Sequence, residues 1–582
     1  MWNKEQLFNA LSAPETPLLG PAPRATAWTD AQRAALRGRA EAYLRAPMPA
    51  LPYSLFKLYW QTGDRAAYQA AYFERRGRLL TFALLQWLEP ESGPWKAALE
   101  DTVWEICQEA FWCIPAHFMD PDDAPLPFAE YEGQLDLFSC ETAFALAETL
   151  ALCGPALERD VVCRAEAEIE RRVFAPFLSP RFYRFEAMSN NWCAVCGGAI
   201  GGAALHLVHD RARLTALLHR CLSCLDVYLA SFGDDGVCVE GVGYWTYGFG
   251  FFTCFADLLH TRTGGALDLL ALPKAAAIAR CQQHYYLAGD HTVSFADGSG
   301  QSGFRMGLSC YLQRRFPDAA LPDAAYADGV LHDDCYRFCL SLRDFLWYDE
   351  SARFGLPARR SAYLPDAQWF LSAGAHLALA AKAGHNGESH NHNDCGSFIL
   401  CKDGAPVFCD LGAGLYNAAY FGPQRYEIFV NASRSHSVPM PAGCQQAFGP
   451  RHAARDVAHT LGDTDTFSME LAACYDCPPL CSLRREFRHD KADGVLTLTD
   501  TFVFSTPQPV TEVFVAQSPI QLEAGCACCG ALALRFDAAA LDAALVEEQW
   551  AAHEDGQIKT AYLLHLTAKA PAVRHTFTFT LA

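Results

Sequence analysis

Charge is scarce in this chain, and positive charge is the scarcer sign. Only 19% of the 582 residues are Asp, Glu, Lys or Arg, and 66 acidic side chains against 46 basic ones leave a net charge of −20. That balance excludes a general nucleic-acid-binding surface, and an anionic substrate must be met by a locally basic cleft. No apolar run approaches the roughly 18–20 residues of a membrane span, so no membrane partner is expected. The opening stretch MWNKEQLFNALSAPETPLLGP carries acidic residues early and has no sustained apolar core. It does not read as a secretory signal, and a cytoplasmic location is expected. Low-complexity linkers and short solenoid repeats are missing too, and no motif specifies an oligomeric state.

What is present is apolar. Hydrophobic residues make up 51%, the composition of a soluble globular protein, and the length exceeds what one core holds, so two or three domains are expected. The 25 cysteines are an odd number, scattered and mostly flanked by apolar residues, and read as reduced, buried small hydrophobes. Cys193 with Cys196 and Cys221 with Cys224 have CxxC spacing but fall in helical patterns without the turns of a zinc ribbon. Cys526, Cys528 and Cys529 are expected at a turn.

From about residue 28 to 345 apolar positions recur at three and four, as in DRAAYQAAYFERRGRLLTFALLQWL (64–88) and LDLFSCETAFALAETLALC (135–153). TDAQRAALRGRAEAYLRA opens on a Thr/Asp cap signal. PDDAPLP (121–127) and LSPR (178–181) interrupt the pattern. A dozen or so helices in antiparallel succession, several apolar on more than one face, form a layered helical array. After Pro357 the period changes to two, in runs such as QWFLSAG, HLALAAK, VLTLTDTFVF and HTFTFTLA, which predicts a β-sandwich or stacked-sheet domain. The boundary falls near 350–366, dividing the chain into 1–355 and 356–582.

Polar residues concentrate in GHNGESHNHNDCGSFILCKDGAPVFCDLG (384–412), a histidine-dense loop leading into two short strands and Asp410. With His436 in NASRSHSVP, this cluster has the residue types of a metal site, since neutral imidazole and carboxylate are usual zinc ligands. In the helical region Asn190 or Asn191 can cap the helix NNWCAVCGGAIGGAALHLV, leaving the other amide for a cleft. DDGVCVEGVGYWTYGFGFF places Glu240, Tyr244, Trp245 and Tyr247 at a helix mouth, a composition shared by core and sugar-stacking platforms. VSFADGSGQSGFRMG contributes Asp297 and Arg305 from a loop.

The order NNW, EGVGYWTY, HNHNDCGSF with PVFCDLG, then the SRSHS histidine resembles the heparinase II/III-like polysaccharide lyases, over most of the chain. The resemblance implies an incomplete (α/α) toroid followed by an antiparallel β-sandwich domain, with the active site between them. It implies His390 as the catalytic histidine, Asn191 as the residue that neutralises the substrate carboxylate, and the tyrosine after the glycine loop as the catalytic phenol. Spacing from Asn191 favours Tyr247, with Tyr244 the alternative. His392, Asp410 and His436 are implied zinc ligands; two histidines and an aspartate alone suggest a catalytic ion, whereas the resemblance implies one that braces the β-domain loop. Trp192 stands where some members carry histidine, so no second histidine base is expected from the helical domain. Asn190, Trp192, Glu240, Trp245, Arg305, Arg425 and Arg434 are the expected substrate contacts.

The implied activity is β-elimination on uronic-acid-containing glycans, glycosaminoglycans in preference to alginate, leaving an unsaturated uronate end. Two other readings stay open. A zinc hydrolase would use Glu388 as its base, and a non-catalytic carbohydrate-binding protein would stack sugars on Trp192 and Trp245.

Overall fold

The structure is a computed structural model that describes residues 1–118, 126–356, 361–553 and 556–582. Residues 121–125 of the expected interruption and 357–360 of the expected boundary lie outside the described residues.

The first part of the chain is helical, with Ala27–Arg45, Ala66–Leu88, Trp95–Cys107, Leu137–Cys153, Asn191–Leu207, Arg211–Ala230 and Val242–Arg262 among its longer helices. Ala27–Arg45 begins a turn earlier than expected. Thr26 is its cap: the Thr26 hydroxyl accepts from the Thr29 N–H at 3.1 Å, and the Thr29 hydroxyl accepts from the Thr26 N–H at 2.8 Å. The glycine-rich helix Asn191–Leu207 is buried along nearly its whole length. A Cβ at Gly201 would lie 2.5 Å from the Phe255 ring, and one at Gly202 would lie 2.5 Å from Phe144. Glycine there lets Leu137–Cys153 and Val242–Arg262 close on the central helix.

One stretch, Leu137–Ala156, has the length and mean hydropathy (1.3) to cross a membrane, contrary to the expectation from the sequence. Its most apolar window is 78% buried inside the protein. Glu148 on this helix forms a fully buried ion pair with Arg343 of helix Phe338–Leu346. It is a core helix of the array.

Strands take over at Ser361, and every strand pair in the sheets is antiparallel. Ser361–Leu364, Trp369–Ala373, Leu377–Lys382, Phe398–Lys402 and Ala405–Phe408 form a five-stranded meander. Both faces of this sheet are covered, which explains its near-continuous apolar runs. Trp369, Leu371, Ala380 and Ile399 join the helical core, while Phe370, Leu379, Phe398 and Leu400 join a second core shared with the other sheets. That second core lies among the meander, an eight-stranded sheet and a four-stranded sheet. In the eight-stranded sheet Leu480–Asp490 and Val495–Gln508 alternate buried and exposed side chains. Cys526–Cys529, expected at a turn, is itself a strand of that sheet. All 25 cysteines are free thiols, and most are buried.

The Arg343–Glu148 pair is a stability test of the helical core. Arg343→Met leaves Glu148 buried without its cation, a change that costs about 3–5 kcal/mol in such settings. The urea midpoint, followed by far-ultraviolet circular dichroism, should fall accordingly. It should recover largely in Arg343→Met/Glu148→Leu. An unchanged midpoint in the single variant would show that the pair is not structural.

Candidate active site

The helical domain brings one carboxylate to the junction between the two parts. Asp297 sits in a loop that follows the small hairpin Tyr286–Ala288 with His291–Thr292. Ser294 Oγ donates to the Asp410 carbonyl at 3.3 Å, holding the loop against the strand region. Gly412, at φ +67°, packs so close that a Cβ would lie 2.4 Å from the Gly298 carbonyl oxygen.

The Asp297 carboxylate is fully buried and accepts hydrogen bonds from His390 Nδ1 (2.5 Å), His392 Nε2 (3.0 Å), Tyr416 (2.8 Å), Arg425 Nη2 (3.3 Å) and Tyr420. Burial alone would raise its pKa, but the two imidazoles and the Arg425 charge outweigh that and hold it well below the usual carboxylate range. Every donor comes from the segment 390–425 of the strand region.

His390 is held at φ +54°, in the left-handed region that non-glycine residues seldom occupy. With Nδ1–H bound to Asp297, its Nε2 carries the lone pair in the neutral ring. Burial alone would lower its pKa; the bond to Asp297 and the charges of Glu240 and Asp297 raise it on balance, making Nε2 a stronger base. The Tyr244 ring lies 4.8 Å from the His390 ring, and its hydroxyl meets that of Tyr416 at 2.8 Å. Burial first, then the charges of Asp297 and Glu240, push the Tyr244 pKa up, so the free protein holds it as the phenol. Glu240 is itself buried, with its pKa raised by burial, and its Oε2 has no partner.

Asn191 opens its helix beside Gly248, whose Cβ would come 3.2 Å from that of Asn191. Gly248 is one helical turn beyond Tyr244, so both lie along one face. The Asn191 amide forms no hydrogen bond with another described residue. Trp192 is half-buried, its ring 4.8 Å from that of His117. The His117 Nδ1 in turn lies 2.8 Å from Asp136. The helical wall therefore does hold a histidine next to Trp192, contributed from position 117 rather than from the position after the asparagine.

His392, Asp410 and His436 are fully buried, and one ligand atom from each lies within 4.8 Å of the others. His436 Nε2 is 2.9 Å from the Val430 carbonyl oxygen and therefore carries the proton. That turns its Nδ1 to an Asp410 carboxylate oxygen 3.0 Å away. His392 Nδ1 and Asp394 Oδ2 are buried without a partner. Two imidazoles and a carboxylate around orphaned buried atoms suit a zinc ion.

Several expected residues stand elsewhere. Tyr247 points away from His390: its hydroxyl donates to Glu141, and Arg337 lies over its ring at 3.7 Å. Trp245 is fully buried, with Nε1 donating to the Ile278 carbonyl at 2.9 Å, so it belongs to the core and offers no sugar platform. Arg305 is buried in a pair with Asp344 at 2.7 Å and donates to Ser341. Asn190 is the helix cap, accepting from the Trp192 N–H at 3.0 Å. Arg434 donates to the Glu427 carbonyl at 3.0 Å and covers Phe429. Glu388, the base expected of a hydrolase, is buried 3.6 Å from Lys382 Nζ. Asp297 was only a loop candidate in the sequence, and Tyr416, Tyr420 and His117 carried no signal. The Gly-rich setting of Asp297 was the one usable cue.

Residues 356–558 match the family described as Heparinase II/III-like, C-terminal. The match covers most of the strand region and stops short of the helical part. No curated protein sequence matches the chain. Among solved structures, that of heparinase III superposes with a TM-score of 0.68 at 12% identity, covering 99% of this chain and 89% of that one. The heparan sulfate lyase HepC from Pedobacter heparinus gives 0.58 at 14% identity, covering 95% and 87%. A chondroitin AC lyase from Streptomyces coelicolor A3, in complex with chondroitin sulphate, gives 0.55 at 11% identity, covering 99% and 82%. At these identities the likeness is one of fold. The arrangement is a helical toroid followed by antiparallel sheets, and the histidine loop lies within the residues that match the family.

The Glu141–Tyr247 contact generates a pH test. Burial, opposed by Arg337 and by the Tyr247 hydrogen bond, pushes the Glu141 carboxyl up to about 7. A carboxyl raised in the folded state favours folding below its unfolded pKa and loses that contribution as pH rises through the folded value. The window is therefore about pH 4.5 to 7. Measured against Glu141→Gln, the wild type should lose up to about 3 kcal/mol of unfolding free energy between pH 5 and pH 8. A difference that stays constant across that range would place Glu141 outside such coupling.

Proposed function

We propose that this chain is a polysaccharide lyase that cleaves uronic-acid-containing glycans, of the glycosaminoglycan type, by β-elimination. The observation that carries the reading is the Tyr244 phenol set against the His390 imidazole, with Asp297 behind the ring and the Asn191 amide, unpaired among the described residues, one turn along.

The proton at C5 of a uronate is weakly acidic because the adjacent carboxylate is already charged. Asn191 donates to that carboxylate where negative charge develops. His390 Nε2 takes the C5 proton, with Asp297 fixing its tautomer and stabilising the imidazolium, as in other Asp–His pairs. The C5–H electrons form the C4=C5 double bond, the C4–O4 bond breaks, and O4 receives the Tyr244 proton. His392, Asp410 and His436 would hold zinc; its positive charge would neutralise the buried Asp410, and the shared ligation would fix the loop that carries His390.

Each turnover creates a double bond conjugated to the uronate carboxyl, so ultraviolet absorbance should rise with a glycosaminoglycan oligomer. Tyr244→Phe should lower kcat by roughly 10²- to 10⁴-fold, the usual scale of a lost proton-transfer group. Tyr247→Phe should stay within about tenfold of wild type, since its phenol does not reach His390. New reducing ends without absorbance would make the chain a hydrolase.

The zinc reading has its own readout. The purified protein should contain one zinc per chain, and exhaustive chelation should lower its melting temperature while leaving the helical content intact. Chelated protein that melts unchanged would contradict a bracing ion.

A further inference from the structure

We propose that Arg65 is the oxyanion clamp of the cleft, binding a carboxylate or sulfate on the sugar that lies against Tyr244. This rests on the lyase reading for the identity of the sugar, but its geometry is independent of that reading.

Arg65 immediately precedes helix Ala66–Leu88, at the end of a tight turn through Gly63 (φ +76°). That turn reaches across the junction: a Cβ on Gly63 would lie 3.2 Å from the Ala418 Cβ, between Tyr416 and Tyr420 of the strand region. Arg65 lines a narrow crevice with Tyr59, Asp64, Gln69 and Ala116, and the chain runs from Ala116 directly into His117; the Asp64 carboxylate is turned to the Ala66 N–H, which donates to it at 2.8 Å. The turn that carries Arg65 thus lies beside Tyr416 and Tyr420 on one side and the Ala116–His117 segment on the other, close enough for its charge to act on His117, Tyr244 and Tyr416.

Arg65 has no counter-charge, a condition it shares with Arg33, Arg39 and Arg434 among the described residues, but of these it is the one that stands beside the Tyr244–Tyr416 pair. Arg75, Arg76, Arg78, Arg337, Arg343, Arg425 and Arg485 each have a carboxylate within 4.0 Å. Arg65, half-buried, has none among the described residues. Its guanidinium meets the Gln69 amide, whose oxygen, once turned towards it, accepts from Nε at 2.8 Å and Nη2 at 2.7 Å. A guanidinium held out of bulk water by a neutral amide keeps its remaining N–H groups and its full charge for a ligand. Its planar fork fits the two oxygens of a carboxylate or two of a sulfate.

The test compares wild type, Arg65→Gln and Arg65→Lys on two matched glucuronate oligosaccharides, one N-sulfated and one N-acetylated without sulfate. Binding is read by calorimetry and turnover by absorbance, with thermal melts confirming that each variant folds. Arg65→Gln should weaken binding and raise KM by roughly 30-fold or more, the scale of a lost partner to a buried charge, with a smaller effect on kcat. Arg65→Lys should recover part of the loss. Equal losses on both oligosaccharides identify the carboxylate as the bound group, and a loss confined to the sulfated one identifies the sulfate. Unchanged binding of both by Arg65→Gln would overturn the proposal. A wild type that binds without producing absorbance would instead overturn the lyase reading, with the Arg65 comparison still decided by calorimetry.

Discussion

The buried carboxylate of Asp297 is the interaction on which the site depends. It reaches from the helical part into five donors of the strand region and is kept ionised by them. A carboxylate without water is costly unless its acceptor capacity is filled, so the donors and the acceptor fix one another's positions. The same atoms hold the domains together, set the His390 tautomer and anchor His392. Docking and chemistry are thereby one constraint.

The charge distribution follows from it. An acidic chain that handles an anion needs cationic groups where the anion binds, without the acidic surface cancelling them. Arg425 is committed to Asp297, and most buried arginines are committed to carboxylates of the fold. The Asn191 amide and the Arg65 guanidinium lie on the helical side, opposite the imidazoles. A sugar between them would meet the Asn191 amide, the Arg65 guanidinium and the Tyr244 phenol on the helical side and the His390 imidazole on the other.

Much of this was legible in the sequence because local period and local spacing carry it. The change from a helical period to alternation located the strand region, and the HNHND loop with Asp410 and His436 picked out the three side chains that cluster. The rest depends on rotation and on distance. Tyr244 and Tyr247 differ by three positions, about 60° around a helix of 3.6 residues per turn, which sends one phenol to His390 and the other to Glu141. Trp245, about 100° from Tyr244, falls into the core for the same reason. Spacing along the chain cannot choose among them. Asp297 and Arg65 come from segments far from the motif, and only the packing of Gly412 on Gly298 and of Gly63 on Ala418 brings them to it.

The most direct measurement of this coupling is differential scanning calorimetry of Asp297→Asn beside the wild type. The amide keeps the volume but removes the charge that gathers the five donors. The expected result is a single cooperative transition in the wild type and two separated transitions in the variant, one for the helical part and one for the strand region. A variant that melts in one transition at the wild-type temperature would contradict the assignment of Asp297 as the joint between them.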